Sequence, residues 1–214
     1  MSSFHFKARC DKPAALVIMF HGVGSNPKSL HKLATYLHQQ CPDLEISIPI
    51  GFSESPLNPK GFHWFGIEGV TETDRLSRVM AVMAPFDQLI REQAEIADVP
   101  LDKVVLAGFS QGTIMSLEWF KQTKDRVAGI VAMAGRFAEL PVNPTLTKTP
   151  VCLIHGELDE ISDPVHAQQS YDALLKLGTQ VELNLIADAP HRVTESMYPL
   201  VADFIQRLSS KGKL

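Results

Sequence analysis

The sequence predicts an α/β fold: a mostly parallel, doubly wound sheet of about seven strands without a cap domain, in one domain spanning residues 1–214. Three observations carry this. Short apolar runs recur along the chain and are near-continuous rather than alternating, as strands covered on both faces are. Helical patterns fill the gaps between them, and parallel neighbours need such crossovers. Two longer stretches rich in Pro or Gly, Gly51–Thr73 and Gly135–Pro150, interrupt the rhythm. An open α/β sheet places its ligand site beyond the carboxyl ends of its strands, where these stretches would lie.

In chain order, Phe4, Phe6 and Ala8 alternate with His5 and Lys7, which predicts an antiparallel edge strand. Ala14–Phe20 is the first main strand. Asn26 then Pro27 reads as an N-cap and first helical position, followed by Leu30, Leu33, Ala34 and Leu37 at helical spacing. Leu44–Ile50 is the next strand. Leu76, Val79, Met80 and Met83 begin a helix running to about Ala97, with a kink or break expected at Pro85. Lys103–Ala107 leads into residues 111–120, apolar nearly all round, as suits a buried central helix. Val127–Met133 and Val151–Ile154 are strands. Asp163-Pro164 opens a helix closed by Gly178, Val181–Ile186 is the last strand, and Met197 to Leu208 carries a final helical stripe.

Composition bounds the function. The chain has 214 residues, 45% hydrophobic and 21% charged, with a net charge of −4. That balance suits a globular enzyme-sized core and offers no basic footprint for nucleic acid or an anionic membrane. No apolar run is long enough to span a bilayer, so stable membrane insertion is not expected. The segment MSSFHFKARCDKP lacks the charged-then-apolar build of a secretion signal. Cys10, Cys41 and Cys152 form no C-x-x-C pair, and their odd number suits a reducing compartment. A cytoplasmic location is expected. Cys152 sits within a strand run and reads as a buried thiol rather than a nucleophile.

The stretch VVLAGFSQGTIMS (104–116) holds Ser110 between two glycines, where a strand passes into a helix. G-x-S-x-G is the pattern of a strained turn that lifts a serine hydroxyl into a cleft. The plain alternative is a Gly-rich turn with an idle serine. A serine nucleophile needs a base, and eight histidines compete. His31 and His38 lie on a helix, His5 in the edge strand and His166 at a helix start. His21 and His155 end strands before glycine, where an imidazole holds the following turn. His63 lies in a long loop and could reach the site. His191, in ADAPHRV after the last strand, has the position that the chain order Ser…Asp…His requires. Among the carboxylates of HGELDEISDP, Asp163 is accounted for as a helix cap, whereas Asp159 has no local role and follows a strand. Asp188 is the remaining rival. An acyl-transfer site also needs donors for an oxyanion. In FHGVGSNP, Gly22 and Gly24 free the Val23 amide to face the serine beside the Gln111 amide. No dinucleotide fingerprint, Walker lysine or metal-ligand spacing is present, so neither cofactor nor metal is expected.

These residues resemble the phospholipase/carboxylesterase group of α/β-hydrolases, which includes acyl-protein thioesterases. The likeness covers nearly the whole chain and rests on FHGVGSNP, GFSQG, HGELD, His191 before the last helix, and HWFGI at 63–67. It is greatest to a bacterial branch of serine esterases that shares HGVG, the Trp-Phe segment and the short element Gly135-Arg136-Phe137. The chain departs from the thioesterase branch at three places. Thr113 stands where GFSQGG has its last glycine, Pro190 precedes His191 in place of glycine, and HGVGS replaces HGLGD. The resemblance implies the α/β-hydrolase fold and hydrolysis of short- to medium-chain acyl esters or thioesters through an acyl-serine. In it Ser110 is the nucleophile, His191 the base and Asp159 the orienting acid. Phe62, Trp64, Phe65 and Phe137 lie in loops expected to border the site and to contact the acyl chain. A small ester is the expected partner. The rivals are a non-catalytic ligand-binding protein on this scaffold, an acyl-protein thioesterase or lysophospholipase, and a peptidase, which would need a cap domain.

Overall fold

The computed structural model describes residues 3–142 and 148–210. Residues 1 and 2 of the N-terminal segment and residues 143–147 of the predicted Gly135–Pro150 loop lie outside them. The strands are β1 (Phe4–Phe6), β2 (Ala15–Phe20), β3 (Leu44–Ile48), β4 (Ser53–Ser55), β5 (Asn58–His63), β6 (Val104–Phe109), β7 (Gly129–Met133), β8 (Val151–Gly156) and β9 (Val181–Ile186). The helices are α1 (His31–Gln40), α2 (Arg75–Ala81), α3 (Met83–Ile96), α4 (Gln111–Gln122), α5 (Val165–Lys176) and α6 (Met197–Ser210). Seven strands form one sheet in the order β1-β3-β2-β6-β7-β8-β9. Only β1 runs antiparallel, against β3; the other neighbours are parallel.

Each continuous apolar run is buried on both sides. In β2, Leu16, Ile18 and Phe20 join a core with α3, α4 and α5, while Ala15, Val17 and Met19 join a second core with α1 and α6. Every side chain of β2 is shielded, and each large one contributes about 1.5–3 kcal/mol. From β2 the chain proceeds to β3 on one side, then returns to β6 on the other. Helices α1 and α4 therefore leave adjacent strand ends toward opposite faces, and a crevice opens between β2 and β6. HGVG follows one strand end and GFSQG the other. This is the switch point where α/β sheets bind ligands.

Two local outcomes refine the sequence reading. The helix expected from Leu76 to Ala97 is broken at Val82 into α2 and α3. Pro85 has no N–H for the Ala81 carbonyl and its ring crowds that carbonyl, so the break falls one turn ahead of it. The stretch Gly51–Thr73 also contains an antiparallel hairpin, β4–β5, with its register shifted between Glu54 and Ser55. Its residues are largely polar and include Pro56 and Pro59, so no alternation announced it.

Candidate active site

The turn at Ser110 is shaped by close approach. A Cβ at Gly108 would run into the Thr113 amide and lie 2.5 Å from the Gly112 carbonyl carbon; one at Gly112 would overlap the Phe20 carbonyl. Only glycine allows β6, α4 and β2 to meet this tightly. Ser110 itself adopts φ 53° and ψ −113°, a conformation costly for a residue with a Cβ. The surroundings hold it there. The Ser110 amide donates to the Met133 carbonyl at 2.9 Å. The buried Thr113 hydroxyl lies 2.7 Å from the Gly108 carbonyl and 2.8 Å from that of Met133, so the residue that replaces a glycine ties β6 to β7 beneath the serine.

His191 and Asp159 complete a hydrogen-bonded row. His191 Nδ1 lies 2.7 Å from Asp159 Oδ2, and its Nε2 lies 3.0 Å from Ser110 Oγ. A carboxylate can only accept, so Nδ1 carries the proton and Nε2 presents a lone pair to the serine hydroxyl. The two loops are stitched by the Leu158 amide donating to the Ala189 carbonyl at 3.1 Å, and the Phe109 ring packs against the imidazole with centroids 5.1 Å apart. The side chain of Asp159 is fully buried. Burial alone would raise its pKa, but bonds from the Ser162 amide, His191 and the Ile161 amide outweigh that and hold it below the usual carboxylate range. The two amides meet Oδ1 at 2.8 and 2.9 Å. His155 Nε2 donates to the Ser162 carbonyl at 2.7 Å and sits 3.2 Å from Asp159 Oδ2. The sequence marks the turn-holding role but not the contact with the carboxylate. Burial lowers the His155 pKa, which favours the neutral ring.

The other candidates lie elsewhere. Asp163 Oδ1 accepts the Val165 amide at the start of α5 at 2.9 Å, and Asp188 is exposed. His21 bonds the Gly22 carbonyl through Nδ1 at 2.8 Å and accepts the Gly51 amide at Nε2 at 3.0 Å. His63 borders a different cavity with Glu54 and Arg78. Cys152 is buried in β8, where burial pushes its thiol pKa up and keeps it protonated. Val23 and Gln111 line one cavity with Ser110 and His191. Neither amide donates to another protein group among the described residues, and that of Gln111 opens α4, where the helix dipole adds positive potential. Among the described residues no cluster of three or more His, Cys, Asp or Glu is arranged to hold a metal.

The family model for Phospholipase/Carboxylesterase matches residues 3–209. The chain belongs to this family. Esterase YpfH of Escherichia coli (strain K12) is 34% identical over 208 residues, covering 96% of this chain and 89% of that protein. Acyl-protein thioesterase 1 of Neurospora crassa is 28% identical over 170 residues, covering 74% and 69%. Among solved structures, esterase PE8 superposes with a TM-score of 0.87 over 97% of this chain and 98% of its own, at 23% identity. The Bacillus cereus carboxylesterase does so with 0.79 over 96% and 93%, at 15%. The fold is that of the α/β-hydrolases, and the chain is a carboxylic ester hydrolase whose substrate class is a small ester.

Within this phospholipase/carboxylesterase chain, the aromatic residues expected at the substrate need correction. Phe65 lines the cavity beside Ser110, together with Ile67, Val70, Ile114 and Ile161. Trp64, Phe62 and Phe137 do not. Trp64 is buried against Phe20 and Phe86, and its Nε1 donates to the His21 carbonyl at 2.8 Å. Phe62 is held through its backbone, its amide donating to the Ser25 carbonyl at 2.7 Å and its carbonyl accepting the Gly24 amide at 2.9 Å. Phe137 is buried in the core, with Lys121 6.0 Å from its ring centroid. Trp64 and Phe137 satisfy their apolar surface against the protein itself. The Gln111 side chain does unforeseen work: its Oε1 accepts the Trp64 amide at 2.8 Å and its Nε2 donates to the Phe65 carbonyl at 2.9 Å. It clamps the Trp-Phe segment to the start of α4. Glu118, buried in α4, likewise accepts the Ala138 and Glu139 amides and pairs with Lys121. Trp64→Ala should therefore cost about 3–5 kcal/mol of stability and lower turnover of all esters alike. Thermal unfolding and a chain-length series on the surviving fold would check this; a loss confined to long acyl chains would put Trp64 at the substrate instead.

Proposed function

We propose that this chain, folding as one domain, is a serine carboxylesterase acting on short- to medium-chain acyl esters and acyl-thioesters, with Ser110 as nucleophile, His191 as base and Asp159 as its orienting acid. The single observation that carries the reading is the continuous row from Ser110 Oγ through the imidazole to Asp159, at 3.0 and 2.7 Å. In the first step Ser110 attacks the ester carbonyl as Nε2 takes its proton. The Val23 and Gln111 amides receive the developing oxyanion. His191 returns the proton to the leaving alkoxide, and the acyl group stays on Ser110. Water, deprotonated by the same nitrogen, then releases the acid.

The apolar wall of Phe65, Ile67, Val70 and Ile114 supports the chain-length range. Each methylene buried there contributes about 0.8 kcal/mol, so kcat/KM should rise about fourfold per carbon until the cavity of about 310 Å³ is filled. The connection from Ala134 to Pro150 is too short for a helical cap, which supports a site open to soluble esters. Among the described residues no helix is long and apolar enough to cross a membrane. A series of 4-nitrophenyl esters and acyl-thioesters, read by stopped flow, tests the proposal. The expected result is a burst of about one equivalent of nitrophenol per chain and no jump in rate above the micelle concentration. Absence of turnover across the series would reject it.

A further inference from the structure

We propose that Arg75 and Arg136 form an anion subsite that selects esters whose acyl chain ends in a carboxylate. The proposal rests on the reading of Ser110 as nucleophile and adds a preference among its substrates. Both arginines line the cavity that contains Ser110, and no carboxylate does. They reach it from different parts of the chain: Arg75 opens α2 and Arg136 follows β7. Their side chains are only 14% and 18% exposed. Charges taken this far from water require compensation.

The protein supplies less than is needed. Glu72, whose own side chain is 67% exposed, is the one carboxylate bonded to either guanidinium among the described residues. Arg136 Nη2 donates to both of its oxygens at 2.7 and 2.9 Å, and Arg75 Nη1 donates to Oε2 at 2.6 Å. One carboxylate oxygen thus bridges the two arginines. The remaining contact, Arg136 Nη1 with His166 Nε2 at 3.3 Å, uses an N–H without adding negative charge. Two guanidiniums against one carboxylate leave a net positive charge beside Ser110. Arg75 commits a single nitrogen to Glu72, whereas a guanidinium has five N–H donors in a fork that fits a carboxylate. The bonds from Arg75 and then Arg136 hold the Glu72 carboxyl at about 2 despite its exposure, so the pair already stabilises the ligand group it would receive. The same cavity is also lined by the apolar residues Ile67, Val70 and Ile114. A charged tail, a short methylene chain and a scissile ester offer partners for the arginines, for these apolar residues and for Ser110. Hydrolysis of such a half-ester yields the dicarboxylic acid and the free alcohol.

The test compares kcat/KM for mono-4-nitrophenyl adipate and 4-nitrophenyl hexanoate, which share a six-carbon acyl chain, after subtracting the rates without protein. The expected ratio in the wild type favours the half-ester by about tenfold, the effect of one charge-assisted contact. The ratio should rise further in Glu72→Gln, which frees both arginines, and collapse in Arg136→Met. Calorimetric binding of adipate tests the subsite without turnover, and should be tighter in Glu72→Gln than in the wild type. These two measurements stand even if Arg136→Met does not fold. A ratio near one that is unchanged in Glu72→Gln, or adipate binding indifferent to that substitution, would overturn the subsite and leave Ser110 as nucleophile untouched. Loss of the catalytic reading looks different: neither ester would be cleaved, while adipate binding would still decide the subsite.

Discussion

Ser110→Ala is expected to lower kcat by about 10⁶, by analogy with the loss when such a serine is removed from a hydrogen-bonded triad. The alanine has no oxygen to form the acyl intermediate, and His191 Nε2, which loses the Ser110 hydroxyl it meets at 3.0 Å, can only activate water. Folding should survive. Alanine occupies the same space, and the Ser110 amide keeps its bond to Met133; the strained φ of 53° is already carried by a residue with a Cβ. Steady-state turnover of 4-nitrophenyl acetate beside a thermal melt would check both statements. Turnover within tenfold of the wild type would remove Ser110 from the chemistry.

Asp159→Asn is expected to cost about 10⁴ in kcat while leaving the backbone in place. An asparagine Oδ1 can still accept the Ile161 and Ser162 amides, which bond Asp159 at 2.9 and 2.8 Å. Its amide nitrogen, placed at Oδ2, would instead meet His191 Nδ1 with a donor. The ring would then favour the tautomer protonated on Nε2, with no lone pair for Ser110. Asp163→Asn should be nearly silent, because asparagine accepts the Val165 amide equally well. Asp188→Asn changes an exposed carboxylate and should also be silent. A loss in either of those variants as large as in Asp159→Asn would reassign the acid. The pKa of Asp159 is depressed in the folded state. The stability it contributes is therefore present above the ordinary carboxylate pKa and is lost as pH falls through the depressed value.

Much of this arrangement is legible in the residues. Continuous apolar runs announce strands buried on both faces, and the two glycines around Ser110 announce a turn where three elements crowd together. Chain order then singles out His191, and the local cap explains Asp163 and leaves Asp159. What is hidden depends on tertiary packing. An aromatic ring in a loop does not say from its sequence what it packs against: Trp64, Phe65 and Phe137 are all buried, and of the three only Phe65 also borders the cavity. The β4–β5 hairpin lacks alternation because its strands, Ser53–Ser55 and Asn58–His63, build no core of their own. Glu118 sits in a helix apolar on nearly all sides, and only the fold reveals the two amides and the lysine that hold it. Arg75 and Arg136 are 61 positions apart, and only Glu72, in a loop, joins them. The Glu72–Arg75 and Glu118–Lys121 pairs are three positions apart, but nothing local marks the others.

The central claim, that Ser110 is activated by His191, is tested most directly by reaction with a fluorophosphonate followed by intact mass and peptide mapping. The expected product is one adduct per chain, on the peptide containing Ser110, formed far more slowly in His191→Ala. An adduct on another residue, or undiminished labelling of Ser110→Ala, would contradict it.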